Sequence, residues 1–117
     1  MKRGEIWSIA GGPDYAGKPR PAVIVQDDRL GETLSITFCT LTSNDAGPGL
    51  LRPIVKPDDT NGLRVVSRLM VDKISTLPKS KIGAKIGVLS DDDVQALDQA
   101  MLVFLGLAAA ARRGQGG

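Results

Sequence analysis

The sequence contains no histidine, and this absence removes much of the usual catalytic repertoire. Without imidazole there is no Ser-His or Cys-His nucleophile, no histidine-pair nuclease and no histidine metal ligand. The single cysteine, Cys39, has no partner for an internal disulfide and cannot by itself build a cysteine zinc site. It lies within an apolar run, so we expect a buried hydrophobe in a reducing cytoplasm. An enzyme of this composition must work with carboxylates, hydroxyls, lysine and arginine.

Aromatic residues and long apolar runs are also scarce. One Trp, one Tyr and two Phe are too few for a broad base-stacking surface. No apolar run approaches the length that crosses a bilayer, and the first residues, MKRGEIW, lack the apolar centre of a secretory signal. We therefore predict a cytoplasmic protein without a membrane span.

The formal net charge is only +2, but the charges are unevenly distributed. Residues 52–90 contain eight Lys or Arg against three Asp, a local excess of five positive charges. Residues 91–98 contain four Asp and no cation. The basic segment suits a polyanionic partner and equally suits a merely solvated surface.

Most of the chain has the pattern of short strands separated by turns. Pro53 indicates that the short strand around it lies at a sheet edge, because proline cannot donate to a strand ladder. KIGAKIGVL is either an irregular segment or a further strand. We predict the main strands near residues 4–9, 21–26, 34–42 and 66–76.

One helix is predicted, and it begins at Ser90. The hydroxyl is a good N-cap, and the three aspartates that follow favour a helix start, where the dipole stabilises negative charge. The alternative, that these aspartates bind a metal, has less support. An apolar stripe then recurs at helical spacing, formed by Val94, Leu97, Met101, Phe104 and Ala108.

These elements favour a mainly β protein with a C-terminal helix. Short strands followed by one helix are typical of a small, strongly bent antiparallel sheet or SH3-like barrel that the helix closes. We found no internal repeat and no linker, so we predict a single domain over residues 1–110, with a flexible tail over residues 111–117.

The stretch GKPRPAVIVQDD, residues 17–28, places one arginine between two prolines at the start of an apolar strand. Proline fixes φ and lacks an N–H, so Pro19 and Pro21 restrict the backbone on both sides of Arg20. Arg20 is then either a solvated residue at a stiff strand start or a guanidinium preorganised to bind an anion such as phosphate.

Several segments, taken in order, resemble the MazF/PemK toxins of bacterial type II toxin–antitoxin pairs. The likeness runs from Lys2 to about Leu107, and its specificity lies in the ordered set, since each motif is short. The segments are KRGEIW, RPAVIVQDD, CTLTS and VDKISTLPKSKIGAKIGVLSDDDVQALDQAMLVFLGL.

The resemblance implies a sequence-selective endoribonuclease that cuts single-stranded mRNA and stops growth until an antitoxin neutralises it. It also implies the MazF/CcdB-type fold, a homodimer, and activity without a metal or other cofactor. The family's RPxxVIQ arginine falls on Arg20 and its strand-ending threonine on Thr42, with Ser43 beside it. These three are therefore the candidate catalytic residues.

RNA supplies its own nucleophile for such a reaction, so the missing histidine is no obstacle. Attack of the 2′-hydroxyl on the adjacent phosphorus leaves a 2′,3′-cyclic phosphate and a free 5′-hydroxyl. Arg20 can stabilise the charge that develops on the phosphate oxygens, and Thr42 can donate a hydrogen bond to the same centre. Asp27 or Asp28 either accepts the 2′-hydroxyl proton or simply caps a turn.

The loop from Ala10 to Pro19 is the expected lid and base-contact element. Tyr15 within it either stacks on an unpaired base or covers the edge of the core. Trp7 is expected in the core or in a dimer interface rather than at a base. The candidate RNA-binding residues are Arg3, Asp14, Tyr15, Lys18, Asp27 and Arg68.

The expected partners are single-stranded mRNA, a second copy of the chain, and a cognate antitoxin with an acidic, partly disordered segment that folds along the basic region.

Two other functions remain open. CcdB-type toxins resemble MazF in fold but poison DNA gyrase by binding it, using an apolar tip of the last helix, whereas this chain ends in ARRGQGG. The other is an SH3-like binding module without catalysis.

Overall fold

The computed structural model describes residues 1–10, 19–44, 47 and 49–108. Short strands and one helix form the described part of the chain, in the order that the sequence predicts. The elements are β1 (Glu5–Ile9), β2 (Arg20–Ile24), β3 (Ser35–Thr42), β4 (Ile54–Val55), β5 (Ser67–Leu69), β6 (Ser75–Pro78), β7 (Ile82–Val88) and α1 (Asp91–Phe104).

The strands form one antiparallel sheet in the order β4-β5-β3-β2-β1-β7. Strand β3 is long enough to have two partners on the same edge, with β6 along its first half and β5 at its end. The sheet therefore divides around β3 and curls. The predicted class, a mainly β protein with a strongly bent antiparallel sheet and a C-terminal helix, is confirmed.

The strand predicted over residues 66–76 is wrong in one respect, because the segment is two strands rather than one. A 3₁₀ turn over Val71–Lys73 separates β5 from β6. The turn is fixed where the amide of Met70 donates to the carbonyl of Thr40 on β3 at 2.9 Å, and the side chain of Val71 is buried. KIGAKIGVL forms strand β7, and β4, which follows Pro53, ends the sheet at one edge as predicted.

Successive residues of β2 and β3 point to opposite faces of the sheet, and each face buries its own apolar cluster. The cluster on the helix side includes Val23, Cys39, Leu41, Leu69 and Leu97. The cluster on the opposite side consists of Ile9, Ala22, Ile24, Ile36 and Phe38. Cys39 is a buried free thiol, as predicted, and Trp7 packs against the second cluster.

The helix begins where the sequence predicts. The hydroxyl of Ser90 accepts a hydrogen bond from the amide of Asp93 at 3.2 Å, and Asp91–93 fill the first turn. Leu97 is fully buried, and Val94 and Met101 pack against the helix-side cluster. Phe104 is exposed, contrary to the predicted stripe, because the last turn extends past the residues that form this cluster. Within the described residues, no helix is long and apolar enough to span a bilayer.

Candidate active site

The register of the sheet brings Arg20 and Thr42 together. Strand β2 pairs with β3 so that Ala22 lies opposite Thr40. In an antiparallel pair, the residues two positions further along are again level and point to the same face. Arg20 at the start of β2 and Thr42 at the end of β3 therefore meet at the open end of the face that buries Ala22 and Ile24.

Arg20 is half-buried at the junction of three adjoining cavities of about 410, 330 and 420 Å³. Its backbone pairs with Ile9 of β1 and is flanked by Pro19 and Pro21, so the strand start is stiff as the sequence indicates. The guanidinium stays charged at any ordinary pH. A cation fixed at the meeting point of three clefts is well placed to bind an anionic backbone that passes from one cleft to another.

Thr42 lines the first two of these cavities and is only 9% exposed. Its hydroxyl oxygen accepts a hydrogen bond from the amide of Asn44 at 3.1 Å. A hydroxyl that accepts such a bond keeps its own proton to donate. Ser43 is exposed and lines the second cavity beside Thr42. The three candidate catalytic residues are therefore adjacent.

The first cavity carries most of the positive charge. Besides Arg20 and Thr42, it is lined by Asn44, Gly47, Arg52, Met70 and Lys73. Arg52 binds Asp72 through two bonds, Nε to Oδ1 at 3.0 Å and Nη2 to Oδ2 at 3.1 Å. The hydrogen bonds from Arg52 lower the pKa of Asp72, and the ion pair raises the pKa of Arg52 in turn. Asp72 therefore stays ionised.

The third cavity lies on the other side of Arg20 and is more apolar. Its lining includes Leu63, Val65 and Ile86, together with Arg64 and Ser8. Arg68 lies nearby, because it is the register partner of Thr42 on β5, and its Nη1 donates to the carbonyl of Arg52 at 3.4 Å. The structure thus brings the predicted RNA-binding residue Arg68 next to the predicted catalytic residues.

Arg3 and Asp27 are not part of this site. Seven residues along an extended chain place Asp27 roughly 20 Å from Arg20, at the other end of β2. Arg3 is held there by the carbonyl of Val25 at 2.9 Å and by Asp98 of α1 at 2.7 Å, so its guanidinium ties the sheet to the helix. Arg3 and Asp27 therefore lie apart from the cavities around Arg20, and their RNA binding stays a prediction.

Asp27 has the turn-capping role that was the alternative to proton acceptance. Asp27 accepts from the amide of Arg29 at 2.8 Å and caps a 3₁₀ turn. The Arg29 side chain and amide lower the pKa of Asp27 to about 2. Asp28 accepts from the amide of Arg3 at 2.6 Å. A carboxylate with the low pKa of Asp27 is a poor base, and Asp27 and Asp28 both lie at the end of β2 that is far from Arg20.

Three predicted RNA-binding residues, Asp14, Tyr15 and Lys18, lie outside the described residues, as do most of the loop from Ala10 to Pro19 and the tail over residues 111–117. Among the residues that the structure does describe, no cluster of three or more His, Cys, Asp or Glu could hold a metal ion.

The sequence interpretation did not identify Asn44, Arg52, Asp72 and Lys73 as site residues. Arg52 and Lys73 were counted in the basic segment, so charge alone gave a partial signal. Asn44 follows directly after the strand-ending Thr42 and Ser43, a position from which it could have been inferred. Asp72 gave no signal, because its partner Arg52 is 20 residues away in the chain.

Comparison with known proteins adds a family and a set of relatives. Residues 2–105 match the model of the PemK-like, MazF-like toxins of type II toxin–antitoxin systems. A "Probable endoribonuclease MazF" of Mycolicibacterium smegmatis is 44% identical over 108 residues, which cover 92% of this chain and 99% of that protein. "Endoribonuclease MazF9" of Mycobacterium tuberculosis is 30% identical over 116 residues, covering 92% of this chain and 98% of that protein.

Solved structures share the fold. An endoribonuclease in complex with its cognate antitoxin, from a mycobacterial species, superposes with a TM-score of 0.76 at 22% identity, covering 92% of this chain and 96% of that one. MazF from the MazE-MazF complex (Form-II) of Deinococcus radiodurans gives a TM-score of 0.68 at 18% identity, covering 91% of this chain and 95% of that one. At these identities the likeness shows the fold.

Proposed function

The chain belongs to the PemK-like, MazF-like toxins of type II toxin–antitoxin systems, and on that premise we propose that it is an endoribonuclease that cuts single-stranded mRNA at the cavities around Arg20. Two relatives that are 44% and 30% identical over nearly their whole length carry the name endoribonuclease. The observation that carries the proposal is the meeting of Arg20 with Thr42 at the lining of the same two cavities.

The proposed reaction is an internal transesterification within the RNA. The 2′-hydroxyl oxygen attacks the adjacent phosphorus, the bond from phosphorus to the 5′-oxygen of the next nucleotide breaks, and the 2′-hydroxyl proton passes to a solvent water. The products are a 2′,3′-cyclic phosphate and, after protonation of the leaving oxygen, a free 5′-hydroxyl. Arg20 stabilises the added negative charge on the phosphate oxygens, and the Thr42 hydroxyl donates to the same oxygens.

The proton acceptor is not supplied by Asp72. Its pKa is lowered by Arg52, and both of its oxygens accept from that guanidinium. Among the described residues that line the three cavities, there is no carboxylate. Arginine stays protonated, so Arg20 acts by charge rather than as a base.

The cationic lining favours polyanionic partners. Arg20 and Lys73 line one cavity, and Arg64 lines another that Arg20 also lines. This arrangement suits an RNA backbone that crosses Arg20, and it also suits an acidic segment of a cognate antitoxin that would occupy the same path. We place the protein in the cytoplasm, where its mRNA substrate is.

We also propose that the chain forms a homodimer. The C-terminal end of α1 and the residues after it expose a run of large apolar side chains, each 42–51% accessible: Leu102, Val103, Phe104, Leu105 and Leu107. Edge strands add to the gain from pairing. Sedimentation velocity at micromolar concentration should show a dimer, and a monomer alone would contradict the proposal.

The function is tested by incubating the purified chain with a long single-stranded RNA in EDTA and identifying the new ends. We expect 2′,3′-cyclic phosphate and 5′-hydroxyl ends at discrete positions. Arg20→Ala and Thr42→Ala should each lower the rate at least about a hundredfold, the cost of losing one preorganised donor. Arg29→Ala, which removes an exposed cation far from the cavities, is the matched control and should cut normally.

The contrary result is equally specific. Intact RNA under these conditions, together with arrest of DNA gyrase, would support the CcdB-like alternative. Intact RNA without gyrase arrest would support a binding module. If a folded Arg20→Ala protein cuts RNA at the wild-type rate, Arg20 has no catalytic role.

A further inference from the structure

Arg52 and Asp72 form a bidentate ion pair beside the site. The two bonds measure 3.0 and 3.1 Å, and the side chains are only 11% and 20% exposed. A planar guanidinium that binds both oxygens of a carboxylate fixes orientation as well as distance. The pair therefore joins two segments of the chain rigidly, although they are 20 residues apart.

One of these segments is fastened to β3. Asp72 lies in the 3₁₀ turn Val71–Lys73, whose preceding residue, Met70, donates its amide to the carbonyl of Thr40 at 2.9 Å. Thr40 is two residues before Thr42. Asp72 is thus held at a fixed position relative to Thr42 at the end of β3.

The other segment is the stretch over residues 49–53 that leads into β4. Arg52 lies near its end, and its guanidinium packs against the backbone of Gly47: a Cβ at that position would be 2.6 Å from Arg52 Cζ. Gly47 has a φ of +114°, a backbone conformation that residues other than glycine rarely adopt. Gly47, Asn44 and Thr42 line the same cavity as Arg52.

We propose that Arg52 and Asp72 are positioning residues, whose ion pair holds the guanidinium of Arg52 against Gly47 so that the Thr42 hydroxyl and the Asn44 amide, in the same cavity, keep their place beside Arg20. This inference rests on the proposed ribonuclease function. Asn44 bonds the Thr42 hydroxyl through its amide, so a displaced Asn44 turns or frees that hydroxyl. Arg52 acts through this contact and not on the phosphate, because Asp72 already neutralises its charge.

The experiment uses Arg52→Gln and Asp72→Asn in the full chain. Cleavage sites are first mapped on a long RNA, and a short labelled oligonucleotide that contains one site then gives kcat and KM. We expect kcat to fall about 10- to 100-fold, the effect of a misplacement of about 1 Å, with KM changed less than about twofold. Arg29→Gln breaks a different Arg–Asp pair, outside the site, and should leave both constants unchanged.

A second measurement does not depend on catalysis. The amide of Asn44 is followed by hydrogen exchange in the free protein, and it should exchange at least about tenfold faster in both variants. If the wild-type chain cuts no RNA, the proposed function fails, and this exchange rate still decides whether the ion pair positions Asn44.

Four results would overturn the inference. A raised KM with unchanged kcat would show that Arg52 binds RNA directly. Unchanged kcat, or unchanged Asn44 exchange, would show that the ion pair does not hold the site. If both variants fail to fold, Gly47→Ala replaces them, because its added Cβ displaces the Arg52 guanidinium while both charged residues remain; normal kcat in that variant would also overturn the inference.

Discussion

At the scale of single residues, Thr42 combines burial with a hydroxyl, and substitution separates these two properties. Valine has nearly the same shape but no hydroxyl, and serine keeps the hydroxyl without the methyl group. We expect Thr42→Val to cut RNA about a hundredfold more slowly with little change in melting temperature, since one donor to the phosphate is lost.

Thr42→Ser is the matched comparison, and it should retain activity within about tenfold because it can still donate. Cleavage rate and thermal unfolding measured on the same preparations decide the matter. Equal loss of activity in the serine and valine variants would mean that Thr42 acts by packing and not through its hydroxyl.

Residue identity predicted the core of the site better than its surroundings. Arg20 and Thr42 were identified from short motifs, and the register of β2 with β3 explains why two residues 22 positions apart meet. Arg3 and Asp27 were named from the sequence as RNA-binding residues, and they lie at the end of β2 that is far from Arg20, because closeness to a motif in sequence does not fix closeness in space. Asp72 was missed because its role depends on a long-range partner.

At the scale of elements, α1 depends on its cap. The Ser90 hydroxyl accepts from the amide of Asp93 at 3.2 Å, which satisfies one of the free amides of the first turn. Ser90→Ala should cost about 1 kcal/mol and lower the melting temperature by about 4 °C. The measurement is thermal unfolding monitored by circular dichroism.

Ser80→Ala is the control for that change, because Ser80 is an exposed serine in the 3₁₀ turn Lys79–Lys81, away from the start of α1. It should leave the melting temperature unchanged. If Ser90→Ala also melts like the wild type, the aspartates of the first turn stabilise the helix start without the hydroxyl.

Periodicity predicted the existence of most elements but not every boundary. Residues 66–76 are rich in the β-branched and apolar side chains that favour a strand, so the pattern predicted one strand. The chain instead pairs with the end of β3 through β5 and with the first half of β3 through β6. The turn over Val71–Lys73 lies between these two pairings. Such a break is set by tertiary pairing with β3, which local sequence does not encode.

At the scale of the whole molecule, the absence of histidine determines how stability responds to pH. The sequence contains no side chain whose ordinary pKa lies between about 5.5 and 7.5. Burial raises the pKa of the Cys39 thiol to about 12, so this thiol does not titrate between pH 5.5 and 7.5 either. We therefore expect nearly constant unfolding free energy across this interval.

Below about pH 5.5, the protonation of the carboxylates determines how the unfolding free energy changes with pH. Burial alone would raise the pKa of Glu5, but hydrogen bonds from the Lys2 amide, the Lys85 ammonium and the Trp7 indole outweigh it and lower the pKa to about 2. The pKa of Asp72 is lowered as well, by Arg52. The unfolded chain, where a glutamate has its ordinary value near 4.5, therefore binds more protons than the folded one as the pH falls. A group whose pKa is lower in the folded chain contributes its full stabilisation at any pH above its unfolded pKa. That stabilisation is lost as the pH falls towards the folded pKa. The chain should therefore lose stability from about pH 4.5 towards pH 2.

Glu5→Gln tests this directly, because Glu5 joins the start of β1 to Lys85 on β7 at 2.9 Å. The variant should be less stable than the wild type at pH 7, by about 1–2 kcal/mol after allowance for solvent screening. Its stability should fall less steeply below pH 4.5, so that the two curves converge near pH 2. Urea unfolding at intervals of half a pH unit measures both curves, and Glu32→Gln, on an exposed turn, is the control. Parallel curves for the wild type and Glu5→Gln would mean that Glu5 titrates alike in the folded and unfolded chains, and the acid sensitivity would then have to come from the other carboxylates.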